Sequence, residues 1–272
     1  MTAEQDRRRT VLLVTVAGAI AAVFVAVGAY ALLTTDTHTN TDAERGGGPP
    51  VATSTTAPAP PVVQTTTSAV AQPFPYQPLW PFADTAQAAA WQDSYRTGGH
   101  SPWHLDAEAT ALAFTTGYLG FTGIDRVLAT DIDGDEAHVT VGYPVPDAAP
   151  APAAVLHLVK IGTGEDAPWE VVGSRDTTLT LTEPPYGTTV SSPVTVGGRI
   201  TGVDESIRVQ VRAGGTLLGE SCCLAAGGEK TPWTTTVSYR GATGAAMTVV
   251  ASTGGHVTDV ERFAITGVRP TG

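Results

Sequence analysis

The sequence predicts a multi-domain protein with a membrane-spanning helix, a disordered linker, an α+β domain and an all-β domain. Three observations lead to this prediction. The run from Thr10 to Thr35 carries no charge, and residues 34–72 are rich in Thr and Pro without hydrophobic periodicity. Near residue 176, helical patterns followed by strands give way to short alternating runs alone. A chain of 272 residues has room for two ordinary domains and such additions.

The first element is an apolar helix over residues 10–33. It would span about 35 Å, which is enough to cross the core of a bilayer. The run is also longer than the apolar region of about 7 to 15 residues in a cleaved secretory signal. Arg7, Arg8 and Arg9 precede it and mostly acidic residues follow. We therefore expect a single-pass protein of the cell membrane, with residues 1–9 in the cytoplasm and the folded domains extracytoplasmic.

The second element is a linker over residues 34–72, composed largely of Thr, Pro, Ala and Gly. Such a segment buries too little apolar surface to offset the entropy lost on ordering. We expect it to be disordered and to hold the folded domains away from the membrane.

The α+β domain is predicted over residues 73–175, with two helices first. Asp84 and Gln87 have the spacing of a capping box before a helical pattern, and Asp106 caps a second pattern that Gly120 ends. Four alternating runs follow, "RVLATDI", "AHVTVGY", "AVLHLVKI" and "WEVVGS", separated by turn-forming residues. The order predicts helices packed on an antiparallel sheet.

The pattern "VLHLVKIGTGEDAPWEVVG" at the end of this domain resembles the NTF2-like class of α+β folds. The resemblance implies helices that pack into a curved sheet. Members of this class include enzymes and interaction modules, so the resemblance does not select a function.

The all-β domain is predicted over residues 176–272. Seven short alternating runs recur about every dozen residues, which is typical of an immunoglobulin-like β-sandwich. They are "TTLTLT", "PVTVGGRI", "SIRVQVRA", "TLLGES", "PWTTTVSY", "AAMTVVAS" and "VERFAIT".

One stretch of this domain, "PPYGTTVSSPVTVGGRITG", resembles the bacterial spore-germination-associated immunoglobulin-like domain, known as Gmad2, together with "ESIRVQVRAGGTLL" and "WTTTVSY" further on. The resemblance implies an extracytoplasmic β-sandwich that mediates interactions and has no known catalytic residues. Two features depart from the family pattern. Gly198 stands one residue late, and "STGGHVTD" replaces the usual late turn. A role in sporulation is not carried over.

Two sets of residues have the spacing of metal ligands. Asp131, Asp133 and Asp135 alternate as calcium ligands would, but the glycine and glutamate that an EF-hand requires are absent, so an acidic turn is the favoured interpretation. His100 and His104 are four residues apart, but Pro102 between them argues against a helix there, and we interpret both as loop residues. We expect no metal site and no cofactor.

No catalytic residue can be assigned from the sequence. It has no nucleophile elbow, phosphate loop, dinucleotide fingerprint or zinc-protease motif. His138 and His157 fall within predicted strands, where a histidine is more often a half-buried packing residue. The five tryptophans are expected mainly in the core.

Cys222 and Cys223 are the only cysteines, and they are adjacent. Outside the membrane they could form a vicinal disulfide, bridge two chains or remain free thiols. On a regular strand their side chains would point to opposite faces, so a vicinal bond requires a turn or an irregularity.

The net charge of −11 and the isoelectric point near 4.8 disfavour nucleic acid as a partner. The favoured function is a non-catalytic module of the cell envelope that binds a protein or a wall polymer. The rival is an enzyme or small-ligand binder with a site in the concave face of residues 73–175. A polar pocket in that face would favour the rival, whereas a filled core would favour the binding module.

Overall fold

The computed structural model describes residues 74–242 and 246–271, a mostly-β α+β fold with two helices and two sheets that are antiparallel except for one short parallel pair of strands. The transmembrane helix expected over residues 10–33 and the linker expected over residues 34–72 lie outside these residues. Within the part that is described, no helix is long and apolar enough to cross a membrane.

Helix α1 spans Thr85–Gly98, and Asp84 and Gln87 cap its start in a variant of the predicted capping box, in which Gln87 bonds the N–H of Ala83 in place of that of Asp84. Asp84 Oδ1 accepts a hydrogen bond from the backbone N–H of Gln87 at 2.8 Å, and Gln87 Oε1 accepts one from the N–H of Ala83 at 2.6 Å. The helix ends at Gly99, whose φ of 66° lies in the left-handed region that favours glycine.

Helix α2 spans Ala107–Ala113 and continues as a π-helical turn over Phe114–Tyr118. The Asp106 side chain caps its start, as the sequence predicts, by accepting from two backbone N–H groups. A short 3₁₀ helix, Pro102–Leu105, precedes it. The prediction of two capped helices is therefore confirmed.

The first sheet is an antiparallel meander of four strands in the order β1-β2-β3-β4, as the four alternating runs predict. The strands are β1 Arg126–Asp133, β2 Glu136–Tyr143, β3 Ala151–Lys160 and β4 Trp169–Arg175. Helix α2 packs against one face of this sheet. A bridge between Trp80 and Val171 brings the segment before α1 alongside β4.

The second sheet has five strands in the order β5-β9-β8-β6-β7 and differs from the seven predicted runs. Its strands are β5 Thr189–Val190, β6 Val194–Ala213, β7 Thr216–Val237, β8 Met247–Thr253 and β9 Arg262–Pro270. Strands β6 and β7 each merge two predicted runs, because their glycine-rich middles continue to pair through bulges. The run "TTLTLT" makes one isolated bridge to β6, at Leu179, instead of forming a strand, and Glu183 just after the run makes another.

The long β6–β7 hairpin is bent back on itself. Leu218 O accepts a hydrogen bond from Arg240 N, and Ser221 Oγ lies 3.2 Å from Thr235 Oγ1, so residues near the two ends of β7 lie side by side. Both halves of β6 contribute to one apolar core, which includes Val196 and Val209.

The predicted domain boundary falls where β4 ends, at Arg175, but the parts on either side of it share a core. Phe263 and Ile265 of β9 are buried in the same cluster as Phe114 and Leu156. The described residues all belong to one compact unit. The position of β9 against the first sheet determines where the candidate site forms.

Candidate functional site

The face of the first sheet that α2 covers is filled. Phe114 and Tyr118 from the helical turn pack against Val139, Leu156 and Val171 of the sheet, and all five side chains are buried. A ligand on this face would have to displace packed side chains. The rival hypothesis places a small-ligand site in the concave face, which the NTF2-like resemblance implies is the face that the helices cover.

The opposite face of the same sheet carries a pair of histidines. His138 on β2 lies directly across from His157 on β3, because both strands alternate and their register pairs these two residues. Their rings are stacked, with centroids 4.7 Å apart and planes 7° from parallel. On β4 the residue opposite His157 is Gly173, which leaves space beside the imidazole.

A carboxylate and a phenol complete this polar cluster. Tyr76 donates a hydrogen bond from its hydroxyl to Glu136 Oε1 at 2.7 Å, which lowers the pKa of Glu136 and raises the pKa of Tyr76. Glu136 Oε2 lies 3.5 Å from His157 Nε2. That contact falls short of hydrogen-bond geometry, so the nitrogen is buried without a hydrogen-bond partner.

Both imidazoles are neutral near pH 7. Burial is the largest cause that lowers the pKa of His157, and Arg175 adds to it. The same two causes lower the pKa of His138. The nearby Glu136 opposes the shift in each case without reversing it.

His157 and Tyr76 line an open groove of about 390 Å³ that we call the junction groove. Its walls come from β3 and β4, from the segment of residues 181–186 and from β9, so both halves of the folded region contribute. The lining residues are Tyr76, His157, Val172, Gly173, Ser174, Leu181, Thr182, Pro184, Tyr186, Ile265 and Thr266.

Hydrogen bonds hold the walls of the junction groove in place. Tyr186 Oη accepts from Gln77 N at 2.6 Å and donates to Gln77 O at 3.1 Å. Ser174 Oγ accepts from Ile265 N at 2.9 Å and donates to Ile265 O at 3.3 Å, which ties β4 to β9. Because these groups are already paired, the groove is formed before any ligand arrives.

The junction groove carries no formal charge along its lining. Within residues 74–242 and 246–271, no Asp, Glu, Lys or Arg lines it. Its polar groups are the hydroxyls of Ser174, Thr182 and Thr266, the two tyrosines and the neutral imidazole of His157.

A second cavity of about 500 Å³ lies beside the segment Pro78–Ala83 and the β6–β7 turn at Gly214 and Gly215. Behind that segment, Glu170 is fully buried, and its Oε2 accepts from Phe82 N at 3.0 Å. Its Oε1 has no hydrogen-bond partner, and burial raises the pKa of this carboxyl well above its usual value. Glu170 does not line the cavity, and Ala246 on its rim adjoins residues that are not described.

The candidate metal residues are not brought together. Asp131 and Asp133 lie on β1, and Asp135 follows Gly134 in the turn to β2, as an acidic turn requires. Across the described part of the chain, no group of three or more His, Cys, Asp or Glu side chains is placed to hold a metal ion.

The interpretation of both His100 and His104 as loop residues is wrong for His104. It lies in the 3₁₀ helix and is 7% exposed. The rings of Phe82, Trp91 and Trp103 surround it, with centroids between 3.6 and 5.1 Å away. The proline that argues against an α-helix starts this tighter helix instead.

Cys222 and Cys223 are joined by a disulfide in a bulge of β7. Ile207 pairs with Leu224 and Val209 pairs with Ser221, so two cysteines stand opposite one residue of β6. Both are exposed, and the φ of Cys223 is 73°. The bulge supplies the irregularity that adjacent bonded cysteines require.

Sequence reasoning missed the junction groove. It predicted that His138 and His157 are half-buried, and both are. It did not predict that the two side chains form a stacked pair beside a groove. The matching positions of the two histidines in neighbouring alternating runs were the one available signal for the pair. The position of residues 181–186 beside β4 depends on long-range packing that no local pattern encodes.

No family model, curated protein or solved structure matches the chain.

Proposed function

We propose that the protein is a non-catalytic binding module of the bacterial cell envelope. In this proposal the helix over residues 10–33 anchors it in the membrane, the linker over residues 34–72 extends it outward, and the folded region binds an envelope protein or a wall polymer. The charge asymmetry around the apolar run and the composition of the linker support this topology.

The proposal includes an immunoglobulin-like sandwich of the Gmad2 type over residues 176–272 and an NTF2-like arrangement over residues 73–175. Two features support the sandwich. The bent β6–β7 hairpin places residues near both ends of β7 side by side, and the segment of residues 179–183 lies along the first half of β6 whereas β8 lies along the second half. Helices that precede a four-stranded meander support the NTF2-like arrangement.

The junction groove is the observation that carries the proposal. It is open, formed in advance and lined by both halves of the folded region. Binding in such a groove requires only complementary shape and hydrogen bonds.

Nucleophilic catalysis by a hydroxyl or thiol needs more than the groove offers. A hydroxyl nucleophile is activated by an adjacent base. Among the hydrogen bonds of the described residues, none joins a Ser, Thr or Cys side chain to a histidine, and Ser174 is already bonded to the backbone of Ile265. The filled face beneath α2 also favours the binding module over the rival.

Site-specific photo-crosslinking in intact cells tests the proposal. A photoreactive residue replaces Thr182, which is exposed and lines both the junction groove and a neighbouring cavity beside Arg199, and in a control replaces Thr178, which is exposed four residues away and lines neither. We expect irradiation to join position 182 to an envelope protein, seen as a discrete mass shift, or to the wall, seen as chain retained on sacculi boiled in detergent. Equal products from both positions, or none from position 182, would refute binding at the groove.

A further inference from the structure

We propose that the ligand of the junction groove is an uncharged saccharide, such as a stretch of glycan chain. This inference rests on the proposed function, since it names the chemical class that the same groove takes. Three properties of the groove carry it: its lack of charge, its aromatic rings and its mixture of hydrogen-bond donors and acceptors.

The uncharged lining disfavours the other common envelope ligands. An anionic polymer would meet no Lys or Arg in the lining and would approach a chain whose net charge is −11. A cationic ligand would meet no carboxylate in the lining, and the nearby Glu136 is already bonded by Tyr76. A neutral ligand has neither disadvantage, because it brings no charge that needs a partner.

Two tyrosine rings suit the apolar faces of a sugar. Tyr186 is 44% exposed, and its hydroxyl is fixed by the backbone of Gln77, so its ring is held at the edge of the groove. Tyr76 is fixed by its bond to Glu136 and meets the ring of His157 edge-on at 5.3 Å. Rigid aromatic rings with a bonded polar end provide apolar contact area at low entropic cost.

The remaining lining residues suit sugar hydroxyls, which both donate and accept hydrogen bonds. Thr182 and Thr266 contribute hydroxyl groups of the same kind. A neutral imidazole has one donor and one acceptor nitrogen, and burial keeps His157 neutral near pH 7. A volume of about 390 Å³ lies within the range of roughly 300–1,000 Å³ that is usual for small-molecule sites.

The test uses two neutral probes, tetra-N-acetylchitotetraose and maltotetraose, and one charged probe, tetragalacturonate. Each is titrated by calorimetry into the full chain purified in detergent. We expect at least one neutral probe to bind with a Kd below about 1 mM and the charged probe to bind at least tenfold more weakly, a difference of about 1.4 kcal/mol.

Four variants locate the binding. Thr182→Arg fills the groove and should raise the Kd of the neutral probe by about tenfold or more, whereas Thr178→Arg should leave that Kd unchanged within about twofold. Tyr186→Ala removes the ring and should also cost about tenfold, whereas Tyr186→Phe keeps the ring and should cost no more than about threefold. Because Thr182 is exposed, we expect Thr182→Arg to fold, and this variant still tests binding at the groove if Tyr186→Ala does not fold.

Two results would overturn the inference: no binding of either neutral probe, or equal binding by wild type and Thr182→Arg. If the crosslink at position 182 forms and neither neutral probe binds, the inference of a saccharide ligand is wrong while the proposed function stands. If position 182 gives no crosslink, the proposed function itself fails.

Discussion

His104 shows how the surroundings of one residue change its chemistry. Its imidazole is packed among the rings of Phe82, Trp91 and Trp103, and its Nδ1 has no hydrogen-bond partner. Burial lowers its pKa from 6.5 to about 4. Because the folded pKa lies below the unfolded value, the unfolded chain binds more protons between these two values. The contribution of His104 to stability is therefore present above pH 6.5 and lost as the pH falls toward 4.

The first prediction is that His104→Phe makes the free energy of unfolding less dependent on pH. Wild type should lose about 2 to 3 kcal/mol of unfolding free energy relative to the variant between pH 6.5 and pH 4, because phenylalanine has no proton to bind. Urea unfolding of both proteins at several pH values measures the difference. His100→Phe is the matched control, since His100 is exposed, and it should leave the pH profile as in wild type. A constant offset between wild type and His104→Phe at all pH values would contradict the account.

Glu170 shows why residue environments were only partly predictable. Alternation in "WEVVGS" places Glu170 on the face opposite Trp169 and Val171, where a carboxylate would be expected to reach water. In the structure it is fully buried, because the segment before α1 runs along β4 and brings Phe82 N to the carboxylate. That segment is distant in sequence, so no local pattern indicates the contact.

At the scale of elements, caps and alternation were predictable and strand ends in the second sheet were not. The Asp84 and Asp106 caps and strands β1 to β4 depend on local residue types, and the structure has them where the sequence places them. In β6 and β7, glycine-rich stretches looked like turns, yet their backbones remain paired through bulges. Glycine permits both outcomes, and tertiary packing decides between them.

The second prediction concerns the Cys222–Cys223 disulfide in β7. It joins neighbouring residues and so closes almost no loop, which leaves little chain entropy to remove from the unfolded state. We expect the double variant Cys222→Ser, Cys223→Ser to change the free energy of unfolding by less than about 1 kcal/mol. Urea unfolding of the variant, and of wild type with and without a dithiol reductant, measures this. A loss of several kcal/mol in the free energy of unfolding would contradict this prediction and show that the disulfide stabilises more of the structure than the bulge alone.

The third prediction concerns the link between β4 and β9. Ser174 Oγ bonds both backbone groups of Ile265, so Ser174→Ala leaves a buried N–H without its acceptor. We expect a loss of about 1 to 3 kcal/mol in the free energy of unfolding. Ser206→Ala, at an exposed position of β6, is the control and should change it by less than about 0.5 kcal/mol. Equal effects from the two variants would mean that this link does not stabilise the junction.

At the scale of the whole molecule, function is proposed to follow from two sequence regions that build one groove. The composition break near residue 176 predicted the change of architecture, and β4 does end at Arg175. The break did not indicate that β9 would share a core with the first sheet. The candidate site depends on that shared core, which is why its residues could not be selected from the sequence.

Hydroxyl-radical footprinting tests binding at the junction groove most directly. The full chain in detergent is oxidised alone and in a solubilised envelope preparation whose wall has been digested to soluble fragments. Side-chain oxidation is then measured by mass spectrometry. The account predicts that oxidation of Tyr186 and Tyr76 falls by about threefold or more as a ligand covers them, while Tyr95 on α1 and the exposed Val203 on β6 are unchanged. Unchanged oxidation of Tyr186 and Tyr76, or protection confined to α1, would contradict it.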